Sequence, residues 1–239
     1  MHPKIKYFSN EEWAEKSALL ISLTVEDILL ERGSCSVMLT GGGSAEELYR
    51  CWAKFPSFHK MSLVNFFFTD ERCVPTWSEE SNYGMAKRCL FSAGIPSDCF
   101  VYRMNGEMSS LEDAAAQYEK ILPPKIDVLL LGVGEDGHVA SLFPCDPALN
   151  EIKKNVMFVK GPKLPALRLT VTPNVIRNAK NVFLISKGGH KAKVLAKSIL
   201  SKGEWNDLPL RLALESTWLI DESTANELSL LIASSKGLS

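Results

Sequence analysis

Strand-length apolar segments alternate along the chain with polar or glycine-rich turns and with helical patterns. The apolar runs occupy residues 36–40, 64–69, 127–131 and 181–186. Helical patterns follow three of these runs, near residues 44–53, 82–91 and 190–200. Strands that alternate with helices are typical of α/β proteins. The pattern therefore predicts a mostly parallel, doubly wound sheet with helices on both faces, forming a Rossmann-like single domain over residues 1–239.

The loops that follow these strands are expected to meet at one edge of the sheet. In open α/β sheets, ligands bind outside the carboxyl ends of the strands. The loop after the 127–131 run is glycine-rich and acidic, and it carries one histidine, His138. Because a histidine side chain ordinarily titrates near neutral pH, His138 is the best general-base candidate in the chain. The structural alternative is that His138 only hydrogen-bonds to the backbone of its loop.

The same loop also satisfies a dinucleotide-binding pattern. Its glycines have the spacing G-x-G-x-x-G: Gly132, Gly134 and Gly137. Glu135 and Asp136 would, however, lie beside the anionic pyrophosphate. The ribose-binding acid expected about 20 residues further on is also missing from residues 156–160. We interpret the glycines as a tight turn that brings His138 close to a small ligand.

Groups suited to an anionic ligand follow the other strands. Three of them stand at a predicted helix amino terminus, where peptide dipoles favour an anion: Gly42, Gly43 and Ser44. The alternative for this segment is a tight turn with Ser44 as an ordinary N-cap. Three cationic residues are expected near the same edge: Arg72, Arg168 and Lys191. Their convergence would form a binding site for a phosphorylated substrate.

Three charged residues, Asp70-Glu71-Arg72, come directly after the apolar run 64–69. One hypothesis is a surface ion-pair cluster at the end of the strand. The functional hypothesis is that Asp70 and Arg72 face the ligand side by side. The sequence alone leaves both open.

Composition narrows the function classes. The 239 residues are 46% hydrophobic and carry a formal net charge of −1 without a basic tract, so neither a nucleic-acid nor an anionic-membrane partner is expected. The apolar runs are too short to span a membrane.

Six scattered cysteines without C-x-x-C spacing indicate reduced thiols and a cytoplasmic location. Four histidines without ligand spacing indicate no metal site. Oligomeric state is left open.

Four ordered motifs resemble those of the 6-phosphogluconolactonases. They are Leu39-Thr40-Gly41-Gly42-Gly43-Ser44, then Thr69-Asp70-Glu71-Arg72-Cys73-Val74-Pro75 with Ser81-Asn82, then residues 131–144, and finally Arg168-Leu169-Thr170 before Pro173. The resemblance runs from about residue 35 to Asp221. It implies hydrolysis of 6-phosphoglucono-1,5-lactone to 6-phosphogluconate in the oxidative pentose phosphate pathway, with no metal or organic cofactor.

The resemblance also implies residue roles. His138 matches the general base, and Asp136 would orient its imidazole or stabilise its charged form; Asp70 is a further catalytic candidate. The substrate phosphate would be held by Gly42, Gly43, Ser44, Arg72, Arg168 and Lys191. The chain departs from the family pattern at Ala45-Glu46, where Thr-Pro is usual, and at Val139, where Thr is usual.

Two rival functions stay open. Glucosamine-6-phosphate deaminase/isomerase shares the glycine loop and an acid equivalent to Asp70, but its Asp-Gly-His normally continues to Asn-Glu-Pro. This chain has Ser141-Leu142-Phe143-Pro144 instead and so lacks the carboxylate that assists ring opening. The other rival is a non-catalytic sugar-phosphate-binding protein, which retention of both Asp136 and His138 disfavours.

Overall fold

The computed structural model of the chain describes residues 2–236. Met1 and residues 237–239 of the domain predicted over 1–239 lie outside this part. The strands are β1 Lys4–Phe8, β2 Cys35–Leu39, β3 Val64–Phe68, β4 Asp70–Arg72, β5 Phe100–Val101, β6 Val128–Gly132, β7 Val156–Lys160, β8 Leu167–Val171, β9 Asn181–Ser186 and β10 Thr217–Asp221. The α-helices are α1 Trp13–Arg32, α2 Gly43–Trp52, α3 Pro56–Lys60, α4 Asn82–Cys89, α5 Leu111–Ile121, α6 Pro173–Asn178, α7 Ala192–Leu200 and α8 Glu222–Lys236.

Seven strands form one parallel sheet in the order β1-β10-β9-β6-β2-β3-β5. Side chains alternate across it, so that Val37 and Leu39 enter one core while Met38 enters the other. Helices α1, α2 and α4 cover the first face, and α5, α7 and α8 pack on the second. The predicted fold class is therefore confirmed. None of the helices within residues 2–236 combines the length and apolar character needed to cross a membrane.

A second, three-stranded antiparallel sheet has the order β4-β8-β7. The sequence pattern did not predict it, because Asp70-Glu71-Arg72 is too short and too charged to resemble a strand. Asp70 and Glu71 are each only 4% exposed, so the hypothesis of a surface ion-pair cluster is wrong. The register pairs Arg72 with Arg168, which brings two guanidinium-bearing residues to adjacent strands.

Buried Glu71 fixes this small sheet to α4. Its carboxylate accepts hydrogen bonds from the backbone N–H groups of Asn82 (2.7 Å) and Tyr83 (2.8 Å) and from the Ser81 hydroxyl (3.0 Å). An acidic group is favourable at a helix amino terminus, where the first amides lack intrahelical partners. Asp70 and Arg72, which alternate with Glu71 along the strand, are left to face the other way.

A separate polar cluster holds the amino ends of the central strands. Asp127 accepts hydrogen bonds from the Ser36 N–H and hydroxyl at 2.9 Å each, and it forms ion pairs with Lys180 (2.9 Å) and with Arg32. Burial alone would raise the pKa of Asp127, but these donors and cations outweigh it and lower that pKa. The cluster lies at the edge opposite the glycine loops, so it stabilises the sheet without touching them.

Candidate active site

The carboxyl ends of β2 and β6, strand β4, and the turn before α7 enclose one cavity. Its lining includes eight of the nine residues predicted for the site: Gly42, Gly43, Ser44, Asp70, Arg72, His138, Arg168 and Lys191. The ninth, Asp136, lies beside His138 and holds it. Thr40, Asn82 and Ala140 are among the lining residues that were not predicted for the site. The chain therefore brings together at this edge all the residues that the sequence singled out, while their roles stay predictions.

His138 is held by Asp136 in a defined orientation. Asp136 Oδ1 lies 2.5 Å from His138 Nδ1 and also accepts the His138 backbone N–H at 3.3 Å. Because an ionised carboxylate can only accept a hydrogen bond, Nδ1 carries the hydrogen that it donates to Asp136, and in the neutral imidazole Nε2 keeps its lone pair. Burial opposes ionisation of Asp136, but the hydrogen bonds that it accepts from the ring and the backbone of His138 outweigh burial, and the pKa of Asp136 falls well below its usual range.

Gly134 is the backbone position that permits this pair. A Cβ atom at residue 134 would lie 2.1 Å from both Nδ1 and Cε1 of His138 and 2.6 Å from Asp136 Oδ1. No side chain fits there, since real Cβ contacts are longer than 3.0 Å. Gly134 thus allows close approach of the imidazole to the backbone, while the predicted approach of His138 to a small ligand stays a prediction.

The loop does not continue as a dinucleotide-binding turn would. Such a turn opens a helix, whereas here a bridge between Val139 and Leu142 follows and the next element is a short 3₁₀ turn at Pro147–Asn150. Val139 is fully buried in the core, which explains why an apolar residue is suited to this position.

Phe143 contacts both the histidine and one cation of the site. Its ring centroid lies 4.7 Å from that of His138 and 5.5 Å from Arg168 Cζ. The ring is 3% exposed. It therefore packs the imidazole in place and provides a π face for the guanidinium. Phe143 stands inside the motif that carried the family resemblance, so the motif itself was the signal for it.

The three predicted cations line the cavity in different ways. Arg72 donates to the Glu80 carbonyl (2.7 Å) and carboxylate (3.2 Å), while its Nε is buried without a protein partner. An unpaired buried N–H is costly unless a ligand satisfies it. Burial lowers the pKa of Lys191 and, together with the nearby charge of Arg72, that of Arg168. An anion bound among these groups would relieve both costs.

The amino terminus of α2 completes the polar lining. Gly42 has φ +95°, a conformation that favours glycine, and it turns the chain into the helix. The Ser44 hydroxyl accepts the Lys187 backbone N–H at 3.2 Å, so its own proton is free to be donated. Glu46, the departure from the family pattern, is ion-paired with Arg50 at 2.7 Å and does not line the cavity. The added acid is therefore directed away from the proposed anion site.

Asp70 does not form an ion pair with the arginines of the site. Its Oδ2 accepts the Ser141 hydroxyl at 2.7 Å, and Arg168 Nη1 donates to the same hydroxyl oxygen at 3.4 Å. Ser141 is fully buried, and its N–H donates to Thr170 Oγ1 at 3.1 Å. Ser141 thus links the histidine loop to β4 and β8. Sequence reasoning missed this residue, although it lies within the quoted motif.

A larger cavity, of about 620 Å³, lies at the other end of the sheet, beside Trp205 and Arg177. It includes none of the predicted site residues, so its size does not make it the better candidate for the chemistry. Within residues 2–236 there is no group of three or more His, Cys, Asp or Glu side chains that could hold a metal ion.

The chain is similar in sequence and in fold to known proteins. The family model for glucosamine-6-phosphate isomerases/6-phosphogluconolactonase matches residues 9–220. The chain is 34% identical to a 6-phosphogluconolactonase of Streptomyces coelicolor, with 91% of each chain covered. The structure of the 6-phosphogluconolactonase from Trypanosoma brucei has a TM-score of 0.81 at 27% identity, covering 95% of this chain and 98% of that one. A monomeric glucosamine-6-phosphate deaminase reaches 0.80 at 20% identity, with coverage of 94% and 99% respectively, which shows a shared fold only.

Proposed function

The chain belongs to the glucosamine-6-phosphate isomerase/6-phosphogluconolactonase family, and we propose that it hydrolyses 6-phosphoglucono-1,5-lactone to 6-phosphogluconate by general-base activation of water. One observation carries the proposal: the hydrogen-bonded Asp136–His138 pair shares a cavity with three cationic side chains. A base without the cations would fit many esters, and the cations without a base would fit a sugar-phosphate sensor. Together they fit a phosphorylated lactone.

The reaction needs one proton acceptor that later becomes a donor. Nε2 of His138 takes a proton from the attacking water as its oxygen adds to the lactone carbonyl carbon. The imidazolium is stabilised by Asp136, which lies 2.5 Å from Nδ1. When the bond from the carbonyl carbon to the ring oxygen breaks, the proton on Nε2 passes to that oxygen. The tetrahedral oxyanion requires N–H donors, and we assign these to amides of the glycine-rich loops.

The phosphate is placed among Arg72, Arg168 and Lys191, with the first amides of α2 and the Ser44 hydroxyl as further donors. Charge-assisted hydrogen bonds of this kind are about twice as strong as neutral ones. Since the phosphate is remote from the carbonyl, this binding energy serves to hold the lactone in an attack geometry.

Phe143 argues against the deaminase reaction. It belongs to the segment Ser141-Leu142-Phe143-Pro144, which replaces the Asn-Glu-Pro of the deaminases, and its ring packs directly on His138. An apolar ring cannot assist ring opening of the amino sugar as a carboxylate does.

We extend the proposal to a reducing, cytoplasmic setting because all six cysteines are free thiols.

The test measures acid release from freshly prepared lactone, after subtraction of spontaneous hydrolysis, alongside ammonia release from glucosamine 6-phosphate. Lactone opening without ammonia is expected, and ammonia at a comparable rate would refute the assignment.

His138→Gln should lower kcat by roughly 10²- to 10⁴-fold, the usual contribution of a general base, and should abolish the acidic limb of the rate profile. His59→Gln is the matched control, since His59 lies on α3, hydrogen-bonds to the Ala53 carbonyl at the end of α2, and does not line the cavity.

A further inference from the structure

The hairpin loop of residues 161–166, between β7 and β8, is tied to the site on its inner side. The Gly161 N–H donates to the Ala166 carbonyl at 2.8 Å and closes the loop. Arg168 then donates through Nε to the Pro165 carbonyl (3.0 Å) and through Nη2 to the Lys163 carbonyl (3.3 Å). The same guanidinium that lines the cavity therefore fixes the backbone from which the Lys163 side chain extends.

The Lys163 side chain reaches the catalytic pair. Its Nζ lies 3.4 Å from Asp136 Oδ2, while Oδ1 of the same carboxylate binds His138 Nδ1. One carboxylate is thus shared between the imidazole and an ammonium group. The Lys163 side chain is 53% exposed and that of Asp136 is 31% exposed, so water screens this ion pair without removing it.

We propose that Lys163 is a positioning residue of this site, which holds Asp136 by its second oxygen and lowers the proton affinity of His138. The proposal rests on the function proposed above, in which His138 must be neutral to act as a base. A positive charge near Asp136 offsets part of the negative charge that favours the imidazolium. Lys163 therefore keeps more of His138 in its basic form in mildly acidic solution, and Asp136 ionised.

The sign of the effect follows from the charges that face the pair. Besides Lys163 these are the charged groups that line the cavity with His138, namely Asp70 and Arg72 on β4, Arg168 on β8 and Lys191 in the turn before α7; in the loop itself, Glu135 lies 3.9 Å from His190. Every one of these groups is unchanged when only residue 163 is substituted. Loss of the ammonium must then raise the pH at which His138 gains its proton. A negative charge at 163 must raise it further.

The size of the shift is set by screening. A unit charge several ångströms from the imidazole, at a half-exposed position, changes the titration midpoint by about 0.3–1 pH unit. Lys163→Gln should give a shift in this range, Lys163→Glu about twice as much, and Lys163→Arg almost none. The ordering by charge is the distinctive feature, because a purely structural role would not produce it.

The experiment titrates the His138 imidazole by NMR in the free protein, with His138→Gln to assign the resonance. The acidic limb of kcat/KM for the phosphorylated lactone is then measured for the same variants. Both midpoints should rise in the order Arg, Gln, Glu, with the lactone KM changing less than about threefold, since Lys163 does not line the cavity. The control is Lys160→Glu, the same charge change at an exposed residue of β7.

Each other outcome contradicts the proposal. Unchanged midpoints in Lys163→Gln and Lys163→Glu would show that the lysine does not act on His138. An equal shift in Lys160→Glu would reduce the effect to general surface charge. A large rise in KM without a shift would make Lys163 a substrate ligand instead. Because the NMR arm needs no turnover, absence of lactonase activity in the unmodified protein would refute the proposed function and leave the electrostatic result standing.

Discussion

Gly134→Ala tests whether the geometry of the histidine loop controls the chemistry. The added methyl group would lie 2.1 Å from Nδ1 and Cε1 of His138, so the imidazole must retreat by roughly 1.3 Å before the contact reaches the ordinary range, which begins at 3.4 Å. A misplacement of about 1 Å commonly costs about 100-fold in rate. We therefore expect kcat to fall by about two orders of magnitude. The KM for the phosphorylated lactone should change little, because the phosphate contacts are elsewhere in the cavity.

A control variant and a double variant test whether the loss of kcat is caused by displacement of His138. Gly189→Ala introduces the same methyl group near the site, but its nearest neighbour would be the Ser223 carbonyl oxygen at an ordinary 3.5 Å, so kcat should stay within a factor of about three. Gly134→Ala combined with His138→Gln should be no slower than His138→Gln alone, because both changes act through one imidazole. Additive losses, or a near-native kcat for Gly134→Ala with an unchanged melting temperature, would refute the reasoning.

Three further substitutions separate recognition and stability from chemistry. Arg168→Ala and Lys191→Ala should weaken binding of the phosphorylated lactone by roughly 10- to 150-fold, equivalent to 1.5–3 kcal/mol, with little effect on unphosphorylated gluconolactone. Arg168→Ala should also lower kcat, since the Arg168 guanidinium holds the 161–166 loop. Equal losses of binding for both lactones in both variants would show that neither residue recognises the phosphate. Asp127→Ala should cost about 2–4 kcal/mol of folding free energy and leave kcat unchanged, as measured by denaturant melts and turnover. Because the folded-state pKa of Asp127 is lowered, its contribution to folding stability is present at neutral pH and disappears as the pH falls through that pKa. Equal unfolding free energies for the unmodified protein and Asp127→Ala at pH 7 would contradict this.

The main sheet could be predicted because its strands are buried on both faces. Apolar runs such as 127–131 are expected for a core strand or for a segment of a buried helix. The glycines that follow this run favour the strand. The convergence of the loops then follows from the parallel topology alone. For this reason the predicted cavity residues lie together even though they are up to 149 positions apart in the chain, from Gly42 to Lys191.

The small antiparallel sheet could not be predicted from local pattern. Asp70, Glu71 and Arg72 form a strand because β8 supplies hydrogen-bonding partners and α4 supplies donors for the Glu71 carboxylate. Strand β8 is distant in sequence and the α4 donors follow only after an intervening loop, so no signal within residues 70–72 themselves distinguishes this strand from a charged surface turn. Lys163 was missed for a related reason: a lysine in a loop of glycine and proline is usually a solvated charge, and only its distance to Asp136 changes that interpretation.

The antiparallel sheet also explains how one cavity combines recognition with catalysis. Strand β4 carries Arg72, and strand β8 carries Arg168, so two of the cations that we propose bind the phosphate lie on strands whose backbones are hydrogen-bonded to each other. The histidine loop belongs to the main sheet, and buried Ser141 joins it to this pair of strands through Asp70 and Thr170. A phosphate bound between the arginines, as proposed, would therefore be held on the same frame as His138. Fixing one end of the lactone consequently limits where its carbonyl carbon can lie relative to the base, which is how remote binding energy is converted into rate.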